Sequence, residues 1–213
     1  AGLDWLIREG VRFYTSDEVR RPAQELALIL RSALRAESFA AYFLNGPLPG
    51  ETAEAGLSLR ELLTLVADGM DLHLSNRTQA RDFAVLKELA GAARGAGSTL
   101  VYFHHGSLSD DLAVLAAAGA WIHISDRSFR DEGGVTAALG IICSARRARV
   151  RTVVYIEQGL ALDALARILA AGAAVIFQTP PSDYKSLQRP LETKARRRKL
   201  PVRAYWLSTA LLP

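Results

Sequence analysis

A parallel α/β fold is what this sequence predicts, on three observations. β-rich runs alternate with helically spaced apolar runs almost from end to end, the connections are short, and glycines stand where a helix must release the chain into the next strand. Such alternation leaves two architectures, a modified (β/α)8 TIM barrel or an open three-layer α/β/α sandwich. The near-repeat of LAAAGAWIHI and LAAGAAVIF favours successive barrel units.

Taken in order, the expected strands are VRFYT (11–15), FAAYFLN (39–45), MDLHLS (70–75), TLVYFHH (99–105), AWIHIS (120–125), TVVYIEQ (152–158), AAVIFQ (173–178) and VRAYWLS (202–208). Their Val, Ile, Phe, Tyr and Trp content is that of strands. Between them, PAQELALILRSALR, SLRELLTLVADG, TQARDFAVLKELAGAARGAG, SDDLAVLAAAG, GGVTAALGIICSARRA and ALDALARILAAG carry helical spacing. Pro22 suits a first helical turn, and Gly69, Gly119 and Gly172 suit helix C-termini. The stretch GPLPGETAEAG (46–56) reads as a loop within one domain, so residues 1–213 are expected to form a single domain.

Composition narrows the function classes. Half of the residues are apolar and 23% are charged, which excludes a disordered chain. No apolar run is long enough to cross a bilayer and the N-terminal stretch lacks a signal-peptide pattern, so the expectation is a soluble, cytoplasmic protein without membrane insertion. The lone Cys143 can form neither an internal disulfide nor a cysteine zinc site and reads as a small buried hydrophobe. The net charge of +4 comes largely from ARRARVR (145–151) and KARRRK (194–199). No aromatic residue interleaves with these arginines, so they read as solvated faces and nucleic acid is not an expected partner.

Ligands of parallel α/β folds meet the carboxyl ends of strands, which singles out Asn45, His73, His104, Asp126, Glu157 and Gln178. No phosphate-binding glycine loop and no GxSxG elbow is present, which argues against an ATPase, a dehydrogenase or a serine hydrolase. His73 and His104 read most plainly as polar residues hydrogen-bonded at strand ends. His105 and His123 are expected to point elsewhere, because neighbours on a strand face opposite ways. Asp126 with Arg127 could hold a phosphate, though a turn cap is the favoured role for Asp126. Glu157 is either a ligand contact or the partner of a neighbouring arginine.

From residue 70 to 181 the sequence resembles the EAL domain, a (β/α) barrel whose active members hydrolyse cyclic di-GMP with divalent metal ions. SDRSFRD (125–131) is similar to that family's KIDRSFV element. VVYIEQGLALDALARILAAGAAVIFQTPP (153–181) resembles its AEG element followed by a helix, a glycine turn and a QGY strand. The resemblance places Glu157 on the AEG glutamate, Gln178 near the QGY glutamine and Asn45 on the asparagine of the NLS element. It also shows departures. His73 stands where the family has a metal-binding Glu, Phe103 and His104 stand at its acidic pair, Ile124 stands at its lysine, and the N-terminal part is truncated or rebuilt.

Losing those carboxylates removes the hard oxygen ligands magnesium requires, so magnesium binding and hydrolysis are expected to be lost. The resemblance thus implies a degenerate EAL-like regulatory domain in bacterial cyclic di-GMP signalling, not an enzyme, acting through a protein partner. The ligand candidates are Asn45, Asp126, Arg127, Glu157 and Gln178. Non-hydrolysing binding of cyclic di-GMP is one alternative, and a metal-dependent hydrolase using His73, His104 and Glu157 is another.

Overall fold

In the computed structural model, residues 13–17, 21–35, 37–44, 57–77 and 81–177 are described. The expected first strand begins outside this range. The expected strand at 202–208, the basic run 194–199, Asn45 and Gln178 lie outside it too.

Strands and helices alternate as β1 (Phe13–Ser16), α1 (Ala23–Arg35), β2 (Ala40–Leu44), α2 (Leu59–Ala67), β3 (Asp71–Ser75), α3 (Phe83–Ala96), β4 (Leu100–His104), α4 (Asp110–Ala118), β5 (Trp121–Ser125), α5 (Glu132–Arg147), β6 (Thr152–Ile156), α6 (Leu162–Ala171) and β7 (Ala174–Phe177). The sheet has seven strands, ordered β1 to β7 as in the chain. Paired strands run parallel, with Phe43 beside His73 and Ser125 beside Tyr155. A doubly wound sandwich needs its strand order to reverse at a switch point. None of the order here reverses, so the three-layer alternative gives way to the sequential winding of the (β/α) type.

Two compact units divide the chain, Ala1–Tyr102 with Ala118–Ala120, and Phe103–Ala117 with Trp121–Pro213. In the first, α1 buries Leu26, Ile29, Leu30 and Ala33, and α3 buries Leu86, Leu89, Ala90 and Ala93, the stripe that 3.6-residue periodicity places on one face. Local chemistry starts these helices. Ser58 and Glu61 close a capping box on α2, and Asp82 caps α3 by accepting the amide of Ala84 at 2.9 Å. Gly119 shows why glycine ends a helix here: φ is +123°, and a Cβ would meet Arg94 Cβ at 3.0 Å.

The second unit contains the SDRSFRDEGG stretch. Phe129 is 2% exposed, Asp131 caps α5 by accepting the amide of Gly134 at 2.7 Å, and Gly134 lies so close to Phe129 that any Cβ would collide with it. In β5, Ile122 and Ile124 are buried while Trp121 and His123, on the other face, are half-buried. Ile124 is thus a core residue. Cys143 departs from expectation: it lies on the exposed side of α5, between the inward-facing Ile142 and Ala145. Among the described residues no helix is long and apolar enough to cross a membrane.

Candidate functional site

The carboxyl ends of β5 and β6 bring together Asp126, Arg127 and Glu157, which lie far apart in sequence. β5 ends at Ser125, whose hydroxyl accepts the amide of Arg127 at 3.2 Å and caps a single 3-10 turn, Asp126–Ser128. The turn takes Asp126 off the alternation of the strand and buries it to 1% exposure. Its carboxylate accepts three consecutive backbone amides from the loop after β6: Glu157 at 3.0 Å, Gln158 at 3.1 Å and Gly159 at 2.8 Å. Gly159, at φ +94°, lets the loop curl around the carboxylate.

A buried anion is tolerable when amide donors replace its lost hydration, and successive amides forming a concavity do that. Ser125, not Asp126, caps the turn. Asp126 holds the loop that carries Glu157.

Arg127 turns outward. Its Nε lies 2.7 Å from Glu157 Oε2, with the arginine side chain 61% exposed and that of the glutamate 15% exposed. One edge of the guanidinium is occupied by the carboxylate while the rest stays open to solvent. Of the two readings of Glu157, the arginine pairing is the one observed.

Below this pair, His123 Nδ1 lies 2.8 Å from the Tyr155 hydroxyl, and Phe103 packs at 4.5 Å between ring centroids. Burial pushes the Tyr155 phenol well above its ordinary range, so it stays protonated and shares one hydrogen bond with His123 Nδ1. His123 does face the half-buried side of the sheet with Tyr155 and Glu157, contrary to expectation.

The histidines proposed as metal ligands are engaged elsewhere. His73 stacks on Phe43 with ring centroids 4.2 Å apart, and desolvation lowers its pKa to about 4. His104 Nε2 lies 3.0 Å from the carbonyl oxygen of Ser107. Among the described residues no group of three or more His, Cys, Asp or Glu is placed to hold a metal ion. Nor do the EAL-type residues present fit a magnesium centre, because the Asp126 oxygens are committed to amides and Glu157 to Arg127.

One signal for this site was present in the sequence. DLHLSNR (71–77) and WIHISDR (121–127) repeat His, Ser and Arg at one constant spacing, and Ser75 accepts the amide of Arg77 at 3.2 Å as Ser125 does that of Arg127. The polar strand end is a repeated device, with Asp126 replacing Asn76 in its second copy.

No protein-family model matches the chain, and no curated protein matches it. Solved structures similar to it include beta-methylaspartase from Clostridium tetanomorphum, at 12% identity over 92% of this chain with a TM-score of 0.46, of which the match spans 63%. They include an HpcH/HpaI aldolase from Desulfitobacterium hafniense, at 14% identity over 80% of this chain and 79% of that one with a TM-score of 0.44. A truncated 3-deoxy-D-arabino-heptulosonate 7-phosphate synthase from Thermotoga maritima is 15% identical over 95% of this chain and 82% of that one, with a TM-score of 0.38. These are enzymes and not EAL domains, and the expectation of a chain that is not an enzyme is withdrawn on that finding. With such identities and TM-scores below 0.5 they name neither substrate nor reaction for this chain.

Proposed function

We propose that the carboxyl ends of β5 and β6 bind and act on a phosphate-bearing small molecule, with Arg127 receiving the phosphate and Glu157 beside it as the proton acceptor. The observation that carries this reading is the Arg127–Glu157 pair, in which a sheltered carboxylate anchors a 61% exposed guanidinium. A guanidinium held by one edge is pre-oriented, and its open edge matches two phosphate oxygens. A carboxylate next to the bound phosphate can accept the proton of a water that attacks phosphorus, while the ester P–O bond breaks and the leaving oxygen takes a proton from solvent. Asp126 supports both by fixing the loop. The EAL resemblance names a ligand of this class, cyclic di-GMP, and a setting, bacterial signalling with a protein partner.

The test is calorimetric titration with cyclic di-GMP, with and without magnesium, followed by product analysis. Arg127→Ala is expected to weaken binding more than about tenfold, the loss of one charge-assisted phosphate contact. Glu157→Gln is expected to retain binding and lose any turnover. An Arg127→Ala protein that binds as tightly as the parent overturns the reading, as does a parent that gives no heat of binding.

A further inference from the structure

Four arginines, Arg146, Arg147, Arg149 and Arg151, occupy the junction between α5 and β6, and all four are exposed. No acidic residue interrupts the run 145–151, and among the described residues none of the four takes part in an ion pair. The first two lie in the last turn of α5, where cations oppose the negative helix end. That accounts for Arg146 and Arg147 but not for the others.

Arg149 stands where a helix terminus favours glycine. Its φ is +61°, and the following amide, of Val150, reaches back to Ala145 O at 2.9 Å, closing the helix in a Schellman turn. A side chain in this left-handed conformation costs on the order of 1 kcal/mol, and the side chain kept there is a long exposed cation.

Arg151 is held by an aromatic ring that the linear sequence hides. The amide of Ile122 donates to Arg151 O at 3.0 Å, and the register sets Ile122 beside Thr152, so Trp121 comes to lie next to Arg151. The guanidinium sits 4.9 Å from the indole centroid. The absence of interleaved aromatics spoke against nucleic acid, and here the fold supplies one from the neighbouring strand. An arginine held over an indole has lost part of its hydration on that side and leaves its other side to a stacking base.

From this cluster we infer that the α5–β6 junction is a binding surface for single-stranded nucleic acid, with Arg146, Arg147 and Arg149 on phosphates and Arg151, backed by Trp121, stacking on a base. The surface lies at the amino ends of β5 and β6, away from the carboxyl-end pair of Arg127 and Glu157, and stands independently of the function proposed for that pair. A single strand fits better than a duplex or an anionic membrane, because those would use the charges without the stacked plane.

Fluorescence anisotropy of the whole chain with a labelled oligothymidine tests this between about 50 and 200 mM salt. Three phosphate contacts at about 0.7 each predict a slope of log affinity against log salt near −2. Replacing the four arginines by alanine, with circular dichroism and melting unchanged, is expected to reduce affinity at least tenfold and flatten that slope. Arg151→Lys keeps the charge and is expected to weaken binding several-fold, and unaltered affinity in it overturns the stacking role. The proposal is overturned by absence of binding at low salt. It also fails if binding survives the fourfold replacement and is lost only on neutralising residues 194–199, or if the chain binds phosphatidylserine vesicles but no oligonucleotide.

Discussion

The carboxylate of Asp126 accepts the amide of Gly159 at 2.8 Å and, with Glu157 and Gln158 donating beside it, ties the end of β5 to the loop after β6. At 1% exposure this is an anion solvated by protein backbone in place of water. Asp126→Ala would leave those amides facing a cavity and is expected to lower unfolding free energy by about 3 kcal/mol in urea titrations. Asp126→Asn keeps the shape but turns an NH2 group toward donors and is expected to cost about 2 kcal/mol. An asparagine variant as stable as the parent would mean that the carboxylate does not hold the loop.

His73 makes stability depend on pH. Its pKa is about 4 in the folded chain because burial penalises the imidazolium, against about 6.5 when unfolded. The unfolded chain therefore binds the proton first, and stability present above pH 6.5 is lost as pH falls toward 4. The loss reaches about 3 kcal/mol at most. His73→Phe, which keeps the stacking on Phe43, is expected to remove most of this slope. Urea midpoints at pH 7 and pH 4.5 for both proteins check it.

Two adjacent glycines should respond differently to alanine. At Gly134 a Cβ would lie 2.7 Å from Phe129 Cβ and 2.8 Å from Phe129 Cα, so backbone must move, whereas at Gly133 the nearest atom is Asp131 Oδ1 at 3.6 Å. Gly134→Ala is expected to cost about 2 kcal/mol, and Gly133→Ala to be neutral or to gain up to about 1 kcal/mol from helix propensity. Thermal melts of the two variants would show opposite or clearly unequal shifts.

Thr152 is 3% exposed, and among the described residues its Oγ1 has no hydrogen-bond partner. Thr152→Val replaces that hydroxyl by a methyl of similar shape and is expected to stabilise the chain by about 1 kcal/mol. A destabilised valine variant would show that the hydroxyl is satisfied in solution.

How much of this was legible depends on the range of the interaction. Strand and helix identities, the Gly69, Gly119 and Gly172 termini and the alternation of buried residues follow from contacts within a few residues, so local pattern reveals them. The burial of Asp126 was not legible, because its partners are the amides of residues 157–159, and backbone amides carry no sequence signature. Cys143 was misread for a related reason. Its residue type favours burial, but its angular place on α5 puts it outside the stripe formed by Val135, Ala138, Ile141, Ile142 and Ala145.

By itself, then, the sequence determined a parallel alternation of strands and helices, because periodicity and turn chemistry act locally and are written residue by residue. The tertiary structure alone decided that Asp126 secures a loop, that Glu157 meets Arg127, that His123 hydrogen-bonds Tyr155, and that Trp121 lies under Arg151. Each of those pairs is made across β5 and β6, where strand register sets which side chains meet, and register is a property of paired strands rather than of either one.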